Sequence, residues 1–405
     1  MPKARGHSWR FKTRFRRHAF GWKSQPAITL LREAIAEIKQ VARLEPMLGA
    51  EGAIALLERI SPALEHVDSS SGAIGSAVNR TIAELVAVIA GAPADASTRA
   101  AWLDRLFEAH AADQIPYIEQ LSEYWGELCG SRELASEWAD RLINITRLAL
   151  SPDKSTRGYF HGTSACLSAL FTAGRYDELI ELVRNDVLWS YKRRAVKALA
   201  AQGRGAEAIA YAEHCRSPWA SNTDIDGLCE QILLALGHAE EAYARYAISA
   251  NRAATYLGWF RAVAKKYPDK PPAVVLADLV RHTPGEEGKW FAAAKDAKLF
   301  DEAVALANAA PCDPKTLTRA ARDFARTNPA FAVEAGLAAL RWLVRGYGYE
   351  ITAVDVRAAY SHTLTAAANA GVWDAVRTRI RALFDDPAAR TGFVASVIGK
   401  EVGLD

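Results

Sequence analysis

The sequence predicts an all-α protein: a right-handed α-solenoid of stacked αα-hairpins, preceded by an N-terminal helical region and a basic N-terminal arm. Three observations carry that expectation. Apolar residues recur at i, i+3, i+4 and i+7 along most of the chain, and no stretch alternates convincingly as a strand does. From about residue 170 onward, five short stretches read as the end of one helix, a turn and the start of another: 170–179, 199–208, 233–242, 295–303 and 369–375. Such a hairpin can bury its apolar face only against its neighbours, so a series of them must stack.

Residues 1–25 form the arm. Between Trp9 and Arg16, the rings of Trp9, Phe11 and Phe15 nearly alternate with Arg10, Lys12, Arg14 and Arg16, and Phe20 and Trp22 follow. So many aromatics do not suit a purely disordered tail. One reading is a nucleic-acid arm, with guanidinium groups on phosphates and rings on bases. The other docks the rings on the body and leaves the cations facing water.

Residues 26–155 form the helical region. Ile28, Leu31, Ala34, Ile35, Ile38 and Val41 make one apolar face behind Pro26, a residue suited to a first helical turn. Further helices are expected over about 52–64 and 78–89. The Ser/Gly-rich 68–76 between them lacks the lysine of a phosphate loop and follows no strand, so it reads as a connection. After the break at 91–95, Asp95 or Ser97 can cap a helix carrying Trp102, Leu103, Leu106 and Phe107. Two aromatic-rich helices are expected over 114–150, and Ser151-Pro152-Asp153-Lys154 marks a boundary.

Residues 156–405 hold the repeats. Gly174, Gly203 and Gly237 stand 29 and 34 residues apart, and Lys298 takes the equivalent place two periods later. Glycine there ends a helix in the left-handed conformation, and a Glu four residues on favours the dipole of the next helix. The skipped unit spans Tyr256, Trp259, Phe260 and Val263, a Pro-rich turn, and 274–280. Another pair follows, over 317–325 and, with Asn328-Pro329 as cap and first turn, 331–344; Thr352 with Asp355 forms a capping-box-like start for the penultimate helix. Leu170, Gly174, Tyr176 and Glu178 match the Leu, Gly, Tyr and acidic positions of the tetratricopeptide motif, so the chain resembles tetratricopeptide-like α-solenoids over about 156–385.

The composition is ordinary for a globular protein, with half the residues hydrophobic and a quarter charged. No apolar run is expected to approach the length of a membrane span, so no membrane association is expected. Arg16-Arg17 matches a twin-arginine pair, but the apolar segment of an export signal does not follow. The five cysteines, Cys129, Cys166, Cys215, Cys229 and Cys312, are scattered without a CxxC pair, which fits a reducing, cytoplasmic setting. Charge is polarised. Lys3, Arg5, Arg10, Lys12, Arg14, Arg16, Arg17 and Lys23 precede any acid; the chain's net charge is +3 and this arm carries +8, which leaves the remainder at −5.

No metal or cofactor is expected. His161, His214, His238, His282 and His362 are dispersed, and His214-Cys215 with Cys229 lacks metal-ligand spacing. No nucleophile-elbow, dinucleotide or Walker sequence occurs. Glu286, Glu287, Lys289 and Trp290 crowd one turn; paired carboxylates suit acid–base work, and equally a helix start. Tyr347 and Tyr349 sit among glycines, as a binding loop or a packed corner. Trp189, Tyr191, Lys192, Arg193 and Arg194 open a repeat helix and, with Arg175 and Arg204, would make a basic strip, unless they are solvated helix ends.

The expectation is a non-enzymatic interaction scaffold with a protein partner on its concave face, contacted by Trp9, Phe11, Phe15, Trp189, Tyr191, Glu286, Glu287, Lys289, Trp290, Tyr347 and Tyr349. A nucleic-acid role would use the eight arm cations with Lys192, Arg193 and Arg194. A distant likeness to helical-repeat DNA glycosylases rests on architecture alone, since none of their motifs is present.

Overall fold

The computed structural model describes residues 7–153, 155–218 and 220–404. Among the described residues every regular element is helical, with many packed helix pairs consistent with a helical-repeat fold. The chain divides into two compact units, Met1–Ser221 and Asn222–Asp405.

In the first unit, the helices Ser24–Leu44, Pro46–Leu64 and Ala73–Ala90 pack on one another, followed by Ala96–Ala111, a short turn of 3-10 helix at Glu119–Tyr124 running into Trp125–Cys129, and Arg132–Ala149. Asp95 caps Ala96–Ala111 by accepting the Thr98 amide at 2.7 Å. Ala73–Ala90 is long and apolar enough to cross a membrane by length and composition, a candidate hidden in the sequence by Asn79, Arg80 and Glu84. Here its Ile74, Val78, Ile82, Leu85 and Ile89 are buried in the core, while Lys39 pairs with Glu84 at 2.6 Å.

The unit does not end at residue 155, as the Ser-Pro-Asp-Lys turn implied. Arg132–Ala149 packs along Thr163–Ala173, and Arg175 reaches back to Asp140 at 2.6 Å. Packing between the helices on either side of the turn overrides its local chemistry.

The interior of this unit is aromatic. Phe107, Trp125 and Trp138 meet with ring centroids 5.0–5.6 Å apart. Beside them Arg99 is 7% exposed and faces no carboxylate among the described residues. Its guanidinium donates instead to the carbonyls of Ala92 at 2.7 Å, Leu128 at 3.2 Å and Ile89 at 3.3 Å. Those carbonyls cluster at the C-terminal ends of two helices, where the dipole favours a cation.

In the second unit the pairs run Asn222–Ala235 with Ala239–Ala250, Tyr256–Lys266 with Pro272–His282, and Phe291–Asp296 with Phe300–Ala309. Pro314–Phe324, Pro329–Val344, Ala353–Ala370, Trp373–Ala382 and Phe393–Val402 complete it, along with the short helix Pro387–Arg390. The Thr352–Asp355 capping box is formed on both sides. Glu230, fully buried, is matched by Lys266 at 2.5 Å, the Tyr267 hydroxyl at 2.7 Å and the Asn251 amide at 2.7 Å. A buried carboxylate so satisfied ties three segments together.

All five turns read from the sequence close in one way. Arg175 N–H donates to Leu170 O at 3.0 Å, Arg204 to Leu199 at 2.9 Å, His238 to Leu233 at 2.9 Å, Leu299 to Ala294 at 2.9 Å and Val372 to Ala367 at 2.9 Å. Each is the long bond of a Schellman cap. Gly174, Gly203, Gly237 and Gly371 supply the left-handed residue, and Lys298 adopts it at φ 61°.

Candidate interaction site

The arm is folded back. Trp9, Phe11, Phe15 and Phe20 are 1–7% exposed and belong to the first unit's core. Gly52 makes room for the indole: a methyl group there would lie 2.2 Å from Trp9 Cζ2. Backbone bonds fix the rest, with His18 N–H donating to Pro62 O and Asp68 N–H to Trp22 O, both at 2.9 Å. Burying four such rings is worth roughly 6–12 kcal/mol before ordering costs, whereas exposed pairs such as Arg14–Glu33 at 2.8 Å add about 0–1 each. Apolar burial therefore holds the arm. The expectation that Trp9, Phe11 and Phe15 meet a partner is corrected: their rings are inside.

The cations of the same segment point out. Arg14 pairs with Glu33, Arg10 reaches Glu37, and Arg17 and His18 approach Glu65. Lys12, Arg16 and Lys23 are exposed with no ion pair among the described residues, and Trp22 beside them is 72% exposed. Lys3 and Arg5 lie outside the described residues.

The strip through Arg175 and Arg204 is interrupted by its own acids. Arg175 is held by Asp140 and Glu178 at 2.6 Å each, and Arg204 by Glu207 at 2.7 Å. At Gly174 and Gly203 the Glu four residues on thus also neutralises the arginine that follows the glycine; at Gly237 the same two places hold His238 and Glu241, 3.7 Å apart. These arginines belong to the turns.

What remains is a local cluster on the helix Trp189–Ala201. Its entry is set by Asp186, nearly fully buried, which accepts the Leu188 amide at 2.7 Å and pairs with Arg157 at 2.6 Å. One carboxylate serves two arginines: Glu123 Oε2 lies 2.7 Å from Arg193 and 2.8 Å from Arg194. Glu123 is itself placed by its carbonyl, which accepts from Arg194 at 2.7 Å and from the Ser168 hydroxyl at 2.9 Å. Lys197 has no ion pair among the described residues, and partial burial with Arg193 and Arg194 alongside holds its pKa below the usual lysine range. Lys192 lies 5.8 Å over the Tyr211 ring.

Aromatic donors adjoin the cations. Trp189 Nε1 and the Tyr211 hydroxyl are buried atoms without a hydrogen-bond partner among the described residues. Burial pushes the Tyr211 pKa up to about 12 and raises that of Tyr191, so both phenols keep their protons at neutral pH. An excess of donors and positive charge around one carboxylate suits an anionic group. The sequence singled out Trp189 to Arg194; it missed Lys197, one turn on, and Glu123, far away in the chain.

The other sequence candidates resolve differently. Glu286 accepts from the Tyr256 hydroxyl and pairs with Lys289 at 2.6 Å, and Glu287 accepts the Gly285 amide at 2.9 Å. Both carboxylates are used by the helix start. Trp290 is fully buried with its Nε1 on the Thr283 hydroxyl at 2.7 Å, which corrects its assignment as a contact residue. Tyr347 and Tyr349 are exposed, at 45% and 81%, in a loop where Gly346, Gly348 and Glu350 all have positive φ. Burial pushes the thiol pKa of Cys129 and Cys312 to about 12 and of Cys166 to about 11, which leaves them protonated and weakly nucleophilic.

Comparison with family models, curated proteins and solved structures finds no match for this chain.

Proposed function

We propose that this protein is a non-enzymatic helical-repeat interaction scaffold that binds an acidic segment of a partner protein at the cluster opened by Trp189–Ala201. The observation that carries the reading is the sharing of Glu123 by Arg193 and Arg194 while Lys192 and Lys197 have no carboxylate of their own among the described residues. In this reading the helix pairs are tetratricopeptide-like and stack as a right-handed solenoid, with the partner on its concave face; the uniform Schellman turns support that. The free cysteines support a reducing, cytoplasmic setting.

A second reading, nucleic-acid binding, is favoured by Lys12, Arg16 and Lys23 facing outward beside exposed Trp22. Removing residues 1–23 would open the core as well as remove charge, so charge substitution is the cleaner probe. Fluorescence anisotropy with a poly-glutamate peptide and with single- and double-stranded DNA and RNA, at two salt concentrations, separates the two. The scaffold reading expects peptide binding that weakens about tenfold in Lys192→Gln/Lys197→Gln and is unmoved in Lys12→Gln/Arg16→Gln/Lys23→Gln. Tighter binding of a nucleic acid, lost in the triple variant and steeply salt-dependent, would replace it with the second reading.

A further inference from the structure

The second unit contains a cleft of about 730 Å³ bounded by the helices Ala353–Ala370, Trp373–Ala382 and Phe393–Val402. Arg357, Arg381, Arg390 and Lys400 line it, one or more from each helix or its flank. Arg357, Arg381 and Lys400 make no ion pair among the described residues, and Arg390 uses only Nε, on the Phe384 carbonyl at 2.9 Å. Two carboxylates, Asp385 and Glu401, share the lining, so among the described residues four cations face two acids. The same wall includes Gly392, the N-cap of Phe393–Val402, which has no side chain to occupy the amides of that helix's first turn.

We infer that this cleft binds a small molecule carrying two or more phosphate groups. Three arginines offer planar forks that fit phosphate oxygens bidentately, and uncapped first-turn amides add donors and the positive end of a helix dipole on the same wall. The volume lies in the range of small-ligand sites. An acidic peptide spreads its carboxylates along a chain, whereas a polyphosphate brings several charges into one cleft where the cations already converge. The site is separate from the Trp189–Ala201 cluster, being built wholly within the other unit.

Isothermal titration calorimetry of the full chain with inorganic triphosphate at low salt tests this, with orthophosphate as the weaker single-group comparison. The expected result is one site, weakened about tenfold or more by Arg357→Gln and by Arg381→Gln, weakened by Lys400→Gln, and unchanged by Lys192→Gln/Arg193→Gln. The three cleft positions substituted are exposed, and circular dichroism of each variant establishes that the helices persist. No binding to the wild type would overturn the proposal. So would variants that keep their helices and bind triphosphate as tightly as the wild type, or a cleft that takes a single-stranded oligonucleotide and not triphosphate.

Discussion

Gly52 decides where the Trp9 ring goes. With no side chain it lets the Trp9 ring lie against the helix Pro46–Leu64; any Cβ there would overlap three atoms of the indole at 2.2–2.7 Å. The ring is the larger and more replaceable party, so Gly52→Ala should eject it rather than break the helix. Overpacking of this kind costs about 1–3 kcal/mol, comparable to the roughly 1.5–3 kcal/mol that the indole gains from burial. The expected outcome is a red shift of tryptophan emission together with faster tryptic cleavage after Arg10, Lys12 and Arg14. Emission and cleavage rates equal to those of the wild type would mean that Trp9 is not seated on Gly52. None of this could be read from the segment itself. A period-two alternation of rings and cations looks the same whichever face is buried, and the residue that settles it sits two helices away in the fold.

The turns were far more legible. A glycine after a helical run, in most copies with an acid four positions later, describes a helix end, a left-handed cap and a helix start, all local in sequence, and the structure closes all five turns with the same pair of backbone bonds. The ionic part was less legible, since the strip expected from Arg175 and Arg204 dissolves into pairs with Glu178 and Glu207, which only the folded turn brings together. Convergence from distant elements left no signal at all: Glu123 under Arg193 and Arg194, or Arg357, Arg381 and Lys400 around one cleft. Where the turn rule is broken, a cost follows. Lys298 holds φ 61° at a position the other four copies give to glycine, and a β-carbon there costs about 1–2 kcal/mol. Part of the relief is offset by the greater freedom of glycine in the unfolded chain. Lys298→Gly should therefore stabilise by about 0.5–1 kcal/mol, and Gly174→Ala should destabilise by about 1 kcal/mol. Urea midpoints at constant m-value measure both. A Lys298→Gly protein no more stable than the wild type would show that the strain is relieved elsewhere in that turn.

At the scale of the whole chain, the question is whether the two units melt as one. Each has its own core and its own buried ionic anchor, Arg99 on helix-end carbonyls in the first and Glu230 with Lys266 in the second. A repeat array with strong coupling between neighbours would unfold in a single transition; two separate cores predict two. Arg99→Met distinguishes these. Methionine fills comparable space, but it leaves the carbonyls of Ala92, Leu128 and Ile89 without their charged donor. That loss should cost about 3 kcal/mol, or roughly 6–12 °C for a unit of this size. In calorimetry, one of two transitions should fall by that amount while the other stays in place, and Lys298→Gly should raise only the transition that Arg99→Met leaves untouched. Both substitutions acting on one common transition would mean that the helix pairs communicate along the whole chain. Ligand effects provide a parallel readout. Inorganic triphosphate should raise only the transition that Lys298→Gly raises, since the cleft lined by Arg357, Arg381, Arg390 and Lys400 belongs to the same unit as Lys298.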